Sequence, residues 1–245
     1  NASGAVIMNS EGRYVWYHMR ERDEEAFVSR VRLRRDGKGV VYILNPFGWQ
    51  GEIPGKIIRV SWDTSEVEQT SLEGAHHDFV ELPEGGYAVL VIEDEEVEKE
   101  GEPILVATDK IVEINGEETR VVWSALERFS PDLFGKENWS HANYLVYEED
   151  EDAYYVSLRA LSSIVKVDRA SGETVWVLGG VENDFDVSAW NYPFMEQHGF
   201  QILEGSILVF DNGSIDEACS QVVEGSLDEK GMTAGKVWEH ETDPC

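Results

Sequence analysis

The stretch Gly172-Glu173-Thr174-Val175-Trp176 decides the fold, because its pattern recurs along the chain. Each copy starts at a turn containing glycine and runs into a short apolar strand that carries a tryptophan. The tryptophans of the four clear copies, Trp16, Trp123, Trp176 and Trp238, lie 107, 53 and 62 residues apart, and the first gap equals about two periods of the size typical of propeller blades. A degenerate copy, Ile57 to Trp62, falls in that gap. The other copies are Glu11 to Trp16, Gly116 to Trp123 and Gly235 to Trp238.

Further hairpins lie between these copies. In each, two runs of alternating apolar residues flank a turn rich in glycine or acidic residues, which indicates antiparallel strands. Helical periodicity is nearly absent. The sequence therefore predicts an all-β fold, a single β-propeller domain over residues 1–245 of the six-bladed type. We count about five blade units, the first and last incomplete, and expect a partial propeller because the last strand, Val237–His240, has no inner hairpin after it.

The charge of the chain excludes some partners. The formal net charge is −29, from 49 acidic and 20 basic residues. A surface this acidic repels nucleic acid and anionic lipid, so neither is expected as a partner. No apolar run approaches the roughly 18 residues of a membrane span. The acidic runs Glu93–Glu102 and Glu148–Asp152 are expected to be solvated turns and blade edges. The chain starts without a methionine or a leader, so we expect a mature or excised form.

The chain has two cysteines, Cys219 and Cys245. Their spacing is not that of a metal site. In an exported protein they would form one disulfide, and in a cytosolic protein they would be ordinary thiols. The sequence leaves this choice open, together with the oligomeric state.

Three short histidine motifs carry the candidate chemistry. Four of the six histidines lie in them, and each motif stands at the entrance of a predicted inner strand. Equivalent positions in successive blades face the same central channel, so we expect His77, His141 and His198 to converge there with Asn143 and Arg159. His18 and His240 have no assigned role. The motifs are His76-His77-Asp78-Phe79, His141-Ala142-Asn143 and Gln197-His198-Gly199.

Two chemistries fit these residues. A metal site would use the three histidines His77, His141 and His198 with Asp78, but Arg159 would repel the ion, so we predict no metal and no cofactor. The other chemistry is anion binding, in which Arg159 holds a tetrahedral oxyanion by two hydrogen bonds and a neutral imidazole serves as the nucleophile. We favour anion binding. Trp139 and Trp190 lie in loops beside the motifs and are candidates to line a substrate pocket.

These residues resemble the bacterial arylsulfotransferase family. The resemblance covers about Ser61 to Gly213, most of the chain, and its combination of motifs is specific. The matching segments are His76-His77-Asp78, Trp139-Ser140-His141-Ala142-Asn143, Ser157-Leu158-Arg159, Ile164 to Asp168, Gly172 to Trp176, Gln197-His198 and Phe210-Asp211-Asn212-Gly213.

The resemblance implies an exported, periplasmic or secreted, six-bladed propeller whose signal peptide is not present in this chain. It implies transfer of a sulfuryl group from a small-molecule aryl sulfate donor to a phenolic acceptor, without the nucleotide sulfate donor. His198 would become transiently sulfurylated, and His141, Asn143 and Arg159 would hold the sulfuryl oxygens. His77 would complete this cradle, with His76 as the neighbour that would replace it.

Two departures from the family and two rival functions stay open. The chain ends before the last part of the family's propeller and lacks the additional N-terminal β domain of well-known members. One rival is a non-catalytic propeller that binds a ligand or a protein partner. The other rival is a metal-dependent propeller hydrolase.

Overall fold

The structure is a computed structural model that describes residues 2–21, 26–46, 54–99, 101–130, 139–190, 193–213 and 219–241. Nearly all of its regular structure is β-strand. The described strands form one two-stranded sheet and four four-stranded sheets. Within each sheet the strands follow one another in chain order, and the connections are short, so neighbouring strands are antiparallel. The all-β prediction is confirmed.

Contacts between residues divide the chain into two compact units. Unit 1 comprises Asn1–Glu93 and Lys110–Val121, and unit 2 comprises Asp94–Asp109 and Val122–Cys245. The single domain over residues 1–245 that the sequence predicts stays a prediction.

Unit 1 contains the two-stranded sheet and the first four-stranded sheet. Their strands are β1 (Ala2–Met8), β2 (Tyr14–Glu21), β3 (Ala26–Leu33), β4 (Gly39–Pro46), β5 (Gly55–Ser61) and β6 (Val67–Leu72). Strand β4 is apolar almost throughout and is buried along seven of its eight residues. Its Tyr42 packs with Ala5 of β1 and Ile58 of β5 in one buried cluster. Burial on both faces explains why β4 lacks the alternation of a strand with one solvated face.

The second four-stranded sheet has the order β10-β9-β8-β7. Its strands are β7 (Ala75–Glu81), β8 (Tyr87–Lys99), β9 (Glu102–Asn115) and β10 (Glu118–Ser124). Phe79 of β7 and Val89 of β8 pack with Ile57 of β5. This core therefore holds the first strand of the sheet, which carries the first histidine motif, against the preceding sheet.

The third and fourth four-stranded sheets lie in unit 2. The third contains β11 (Ala142–Glu148), β12 (Ala153–Leu158), β13 (Ser163–Asp168) and β14 (Thr174–Leu178), and the fourth contains β15 (Phe200–Leu203), β16 (Ser206–Asp211), β17 (Gln221–Asp228) and β18 (Thr233–Glu241). Buried aromatic residues, among them Tyr155, Trp176 and Phe194, form the core that the two sheets share. A short 3-10 helix, Arg159–Leu161, joins β12 to β13.

The first strand of three of the four-stranded sheets carries a break in its pairing register. The register shifts at Ser29 in β3, over His77 and Asp78 in β7, and at Asn143 in β11. Such bulges leave residues outside the ladder and re-aim their side chains. Two of the three histidine motifs therefore lie at bulges of first strands.

The tryptophans of the repeat lie on the last strand of their sheets, with one exception. Trp123 of β10 and Trp176 of β14 are each 2% exposed, and Trp123 Nε1 donates to Thr174 Oγ1 in the next sheet at 2.9 Å. Buried tryptophans at one place in the repeat therefore pack between neighbouring sheets. Trp62 of the degenerate copy instead follows β5, and its carbonyl accepts a hydrogen bond from Trp16 Nε1 at 2.8 Å. Trp238 of β18 is 50% exposed.

The first unit of the repeat is incomplete, as the sequence predicts, whereas the last described one is not. The first sheet has only two described strands, and the last described sheet has four. The difference arises because Val237 and Trp238 belong to β18, the fourth strand of its sheet, so this pattern marks the end of a unit. Each four-stranded meander has the strand order of a propeller blade. Closure into a ring and the number of blades stay predictions.

One of the two cysteines is resolved by the structure. Cys219 is disulfide-bonded. Cys245, the only other cysteine of the chain, lies outside the described residues. Of the two alternatives that the sequence leaves open, Cys219 therefore takes the oxidised form.

Candidate functional site

Within or directly before each histidine motif lies one residue other than glycine with a left-handed backbone. These residues are His77, His141 and Glu196, with φ angles of 50°, 48° and 50°. A side chain in this region costs about 1–3 kcal/mol, and such residues cluster where a site must hold a fixed geometry. The three motifs are therefore alike in backbone conformation as well as in their place before or within a first strand.

Arg159 and His141 are joined through the backbone in unit 2. The N–H of Arg159, at the end of β12, donates to the carbonyl oxygen of His141 at 2.9 Å. The side chain of Arg159 is 27% exposed, and its Nη2 forms an ion pair with the carboxylate of Glu196. The one arginine that the sequence assigned to the anion site thus lies directly beside the third histidine motif.

His198 is exposed, and one nitrogen of its ring is held by two neighbours. Its Nδ1 lies 3.2 Å from the carbonyl oxygen of Glu196 and 2.8 Å from Nδ2 of Asn212. The carbonyl can only accept and would take a proton from Nδ1, whereas the amide nitrogen, as it is placed, donates to an unprotonated Nδ1. The two neighbours fix the position of the ring, and its tautomer depends on the orientation of the Asn212 amide, whose two ends are interchangeable in shape.

Asn143 and Gln197 connect the second and third motifs. Asn143 is 6% exposed, and its Nδ2 donates to the carbonyl oxygen of Gln197 at 2.8 Å. Gln197 is fully buried, and its Nε2 donates to Ser157 Oγ at 2.9 Å, Leu158 O at 3.3 Å and Ser163 O at 2.9 Å. These bonds fix the residue before His198 to the end of β12, which is directly followed by Arg159.

Two buried carboxylates hold the loops on which the motifs lie. Asp109 of β9 is 1% exposed and accepts hydrogen bonds from Ser140 Oγ at 2.5 Å and from Ala142 N at 2.9 Å, the residues on either side of His141. Because both neighbours are fixed by one carboxylate, the backbone between them is constrained to its left-handed conformation.

Asp211 of β16 does the same for the third motif. It is 5% exposed and accepts from the N–H groups of Met195 at 2.8 Å and Gly213 at 2.9 Å, and from Gln221 Nε2 at 2.9 Å. Its bonds therefore hold the chain on both sides of the strand pair that positions His198.

The first motif lies in unit 1. His76 is 4% exposed, and its Nδ1 lies 2.8 Å from Nδ1 of His77. One of these nitrogens must donate to the other, so the two imidazoles have opposite roles in this contact. The carbonyl of His77 accepts a hydrogen bond from Ser29 Oγ at 2.9 Å.

Asp78 is bound by arginines of the neighbouring sheet. Its fully buried carboxylate accepts from Arg30 Nε at 3.1 Å and from Arg32 Nη2 at 3.0 Å, and also from the N–H of Phe79 at 2.8 Å. A carboxylate with two guanidinium partners has a fixed structural role. These contacts compete with metal binding by Asp78, the ligand considered from the sequence. Among the described residues, no group of three or more His, Cys, Asp or Glu side chains is arranged to hold a metal ion.

The structure brings part of the predicted site together. Asn143, Arg159 and His198 are linked in unit 2 through Glu196 and Gln197. His141 joins them through its backbone contact with Arg159, whereas His76 and His77 belong to unit 1. Trp139 is 3% exposed, and Trp190, 5% exposed, packs on Phe194 with ring centroids 6.3 Å apart as part of the core.

Four residues at the site were not assigned a role from the sequence: Asp109, Glu196, Gln197 and Asn212. Gln197 and Asn212 stand inside quoted motifs, so their position in the sequence was a usable signal. Glu196 directly precedes the Gln-His pair but looks like one of many acidic surface residues. Asp109 lies 32 residues before His141, and no local pattern connects the two.

The described part of the chain contains no helix with the length and apolar character needed to cross a membrane. No curated protein matches the sequence. The chain is similar to several solved structures, including the three that follow. Hydrazine synthase of Kuenenia stuttgartiensis is 15% identical over 68% of this chain and 46% of that chain, with a TM-score of 0.45. A chimera of ACO and RPE65 is 14% identical over 97% and 55%, with a TM-score of 0.46. A variant of the Synechocystis apocarotenoid oxygenase is 12% identical over 98% and 58%, with a TM-score of 0.44.

The chain thus spans about half the length of these solved proteins. A family model described as arylsulfotransferase (ASST) matches residues 1–244, which is almost the whole sequence. This match extends beyond Ser61 to Gly213, the part of the sequence that contains the family's motifs. The chain belongs to the arylsulfotransferase family.

Proposed function

We propose that this chain transfers a sulfuryl group from an aryl sulfate ester to a phenolic acceptor through a sulfohistidine formed on His198. The observation that carries the proposal is the hydrogen-bonded segment Glu196–Gln197, which ties His198 to Arg159 and Asn143. Family membership supports a sulfotransferase acting on small aryl substrates. The sulfohistidine step and the identity of the donor and acceptor are proposed in addition to family membership.

In the first half-reaction, Nε2 of His198 attacks the sulfur of the donor in line with the leaving aryloxide. The S–N bond forms as the S–O bond to the aryl group breaks, and the electron pair leaves with the aryloxide. Arg159 binds the equatorial oxygens, where its fixed charge offsets the charge of the transition state. In this step His198 carries its proton on Nδ1, where the Glu196 carbonyl oxygen accepts it and stabilises the cationic ring of the intermediate.

In the second half-reaction, the acceptor phenol loses its proton and its oxygen attacks the same sulfur, so the S–N bond breaks and His198 is regenerated. We assign the removal of that proton to His141. One hydrogen of Asn143 Nδ2 is used by Gln197, and the second is available to a sulfuryl oxygen. The two steps share one enzyme intermediate, so ping-pong kinetics are expected.

Several further assignments belong to this proposal. His77, or His76 in its place, stays assigned to binding of the sulfuryl oxygens, and Trp139 is assigned to the aryl group. We also propose an extracytoplasmic location. The disulfide at Cys219 supports it, because disulfides persist in oxidising compartments.

The test is to incubate the protein with 4-nitrophenyl sulfate, without acceptor, and to map added SO3 by mass spectrometry of peptides. We expect one SO3 on the peptide that contains His198 and its loss when a phenol is added. His198→Asn should abolish both labelling and turnover. His240→Asn, at an exposed histidine stacked on Trp238, is the control and should label normally. Full turnover by His198→Asn would exclude the proposed intermediate, and a folded protein that never labels would favour the non-catalytic alternative.

A further inference from the structure

The cation of the proposed anion site already faces a carboxylate. Arg159 Nη2 and Glu196 form an ion pair in which the side chains are 27% and 30% exposed. An arginine reserved for an anionic substrate would bind it more strongly without this neighbour. The carboxylate therefore reduces the positive electrostatic potential at the place where an ester would bind to Arg159.

The backbone around Glu196 fixes the carboxylate in this place. Glu196 has a left-handed φ of 50°, and its N–H donates to Ser162 Oγ at 3.2 Å. Ser162 is itself left-handed, with a φ of 50°, and directly follows the 3-10 helix that Arg159 begins. The residue before Glu196 is bound by Asp211, and the residue after it, Gln197, is fully buried. Two strained residues and two anchored neighbours thus hold the acid opposite the arginine.

The charges of this pair discriminate between anions that have the same shape. A sulfate monoester carries one negative charge, whereas a phosphate monoester carries close to two at neutral pH. Arg159 attracts the second charge of the phosphate as well as the first, but Glu196 repels both, so the ion pair offers little net attraction to offset the larger cost of taking a dianion out of water. A fixed like charge is a common way to reject a competitor that the attractive contacts alone would accept.

We propose that Glu196 is a specificity residue that makes the Arg159 site select monoanionic sulfate esters over dianionic phosphate esters. The inference rests on the proposed function, because it takes Arg159 as the group that binds the ester anion. It assigns to Glu196 no contact with the reacting atoms. Its effect acts through Arg159 and on the charge state of the ligand.

The experiment measures the binding of phenyl sulfate and phenyl phosphate by calorimetry at fixed ionic strength near pH 8. The wild type should bind the sulfate at least about tenfold more tightly than the phosphate, because the neutralised arginine does not offset the larger dehydration cost of the dianion. Glu196→Gln keeps the shape of the side chain and should tighten phosphate binding at least about tenfold while sulfate binding changes less than about threefold. Glu173→Gln removes the same charge in the β13–β14 turn, at the opposite end of the sheet from Arg159, and should leave both affinities unchanged.

A second measurement uses the wild type alone. Lowering the pH to about 5 protonates the phosphate ester to a monoanion, so its affinity should approach that of the sulfate, which serves as the internal reference. Equal tightening of both esters in Glu196→Gln, or a sulfate-to-phosphate ratio that does not change between the two pH values, would overturn the proposal. Thermal unfolding of both variants checks that they fold.

Failure of the proposed function gives a different result. An ester that binds with the expected ratio but never labels His198 contradicts the transfer reaction and leaves the selectivity supported. Binding of neither ester contradicts both.

Discussion

The backbone N–H of Arg159 donates a hydrogen bond to the carbonyl oxygen of His141 at 2.9 Å. The bond joins the entrance of β11 to the end of β12, beyond the last pair of the regular ladder, Ala142 with Leu158. It forms because His141 is left-handed, with a φ of 48°, and so turns its carbonyl toward the second strand. Two residues of the proposed site are therefore positioned relative to each other by a backbone hydrogen bond.

The strain at His141 can be measured by comparing glycine with alanine. Glycine adopts a left-handed backbone without a Cβ penalty. The free energy of unfolding of His141→Gly should therefore be about 1 kcal/mol larger than that of His141→Ala, although glycine gives the unfolded chain more conformational entropy. Urea denaturation of both variants checks this difference. Asp152 in the β11–β12 turn is also left-handed, with a φ of 47°, and lies away from the site. Its glycine and alanine variants are the matched control and should differ in stability in the same direction. An alanine variant as stable as the glycine variant would show that His141 stores no strain.

Replacing Arg159 by lysine keeps the charge and removes the planar fork. A lysine cannot bind two sulfuryl oxygens in parallel, so we expect kcat/KM for 4-nitrophenyl sulfate to fall by about 100-fold. Steady-state kinetics at fixed ionic strength measure the loss. The control is Arg128→Lys, since Arg128 is also partly exposed and ion-paired, with Asp184 at 2.9 Å, and its variant should keep full activity. Equal activity of the two variants would contradict the assigned role of Arg159.

The sequence predicted the strands and the motif positions because both depend on local patterns. Alternating apolar residues around glycine turns predict antiparallel hairpins, and four of the five tryptophan copies lie on strands that end their sheets. Trp62 instead lies in the turn after β5, where its ring packs edge to face on that of Trp16 with the ring centroids 5.7 Å apart. That contact spans 46 residues, and no local spacing signals it.

The sequence allowed a choice of residue types for the candidate site but gave no indication of the contacts that support them. Asn143, Arg159 and His198 were chosen as residue types that hold and transfer an anion, and the structure links them. Glu196 and Asp109 were not found, because a carboxylate that positions a neighbour has the same appearance in sequence as the acids that cover this surface. Their roles depend on contacts 37 and 33 residues away along the chain.

Acid unfolding should depend on Asp36 of unit 1. The Lys38 N–H and then the Arg34 side chain hydrogen-bond its carboxylate and lower its pKa from 3.8 to about 2. Because the folded pKa lies below the unfolded one, this stabilisation is complete above the unfolded pKa and is lost as the pH falls toward about 2. The free energy of unfolding of wild type minus that of Asp36→Asn should therefore shrink between these values. A difference that stays constant over this range would contradict the assignment.

Asp109 should stabilise the protein and position His141 at the same time. Asp109→Ala leaves Ser140 Oγ and the Ala142 N–H buried without their carboxylate, so we expect a loss of about 3 kcal/mol in the free energy of unfolding. Ser140→Ala removes one of the two bonds and should cost about 1 kcal/mol. Because the bonds lie on either side of His141, kcat for aryl sulfate should also fall in Asp109→Ala at temperatures where the variant is fully folded.

The matched control for this prediction is Asp228→Ala. Asp228 also accepts two bonds, from the N–H groups of Lys230 at 3.1 Å and Gly231 at 3.0 Å, but in the exposed β17–β18 turn. Its loss should reduce stability by about 1 kcal/mol and leave kcat unchanged, because water replaces an exposed hydrogen-bond partner at little cost. A folded Asp109→Ala variant with the kcat of the wild type would show that the left-handed backbone at His141 is held by other contacts, and the carboxylate would then be structural alone.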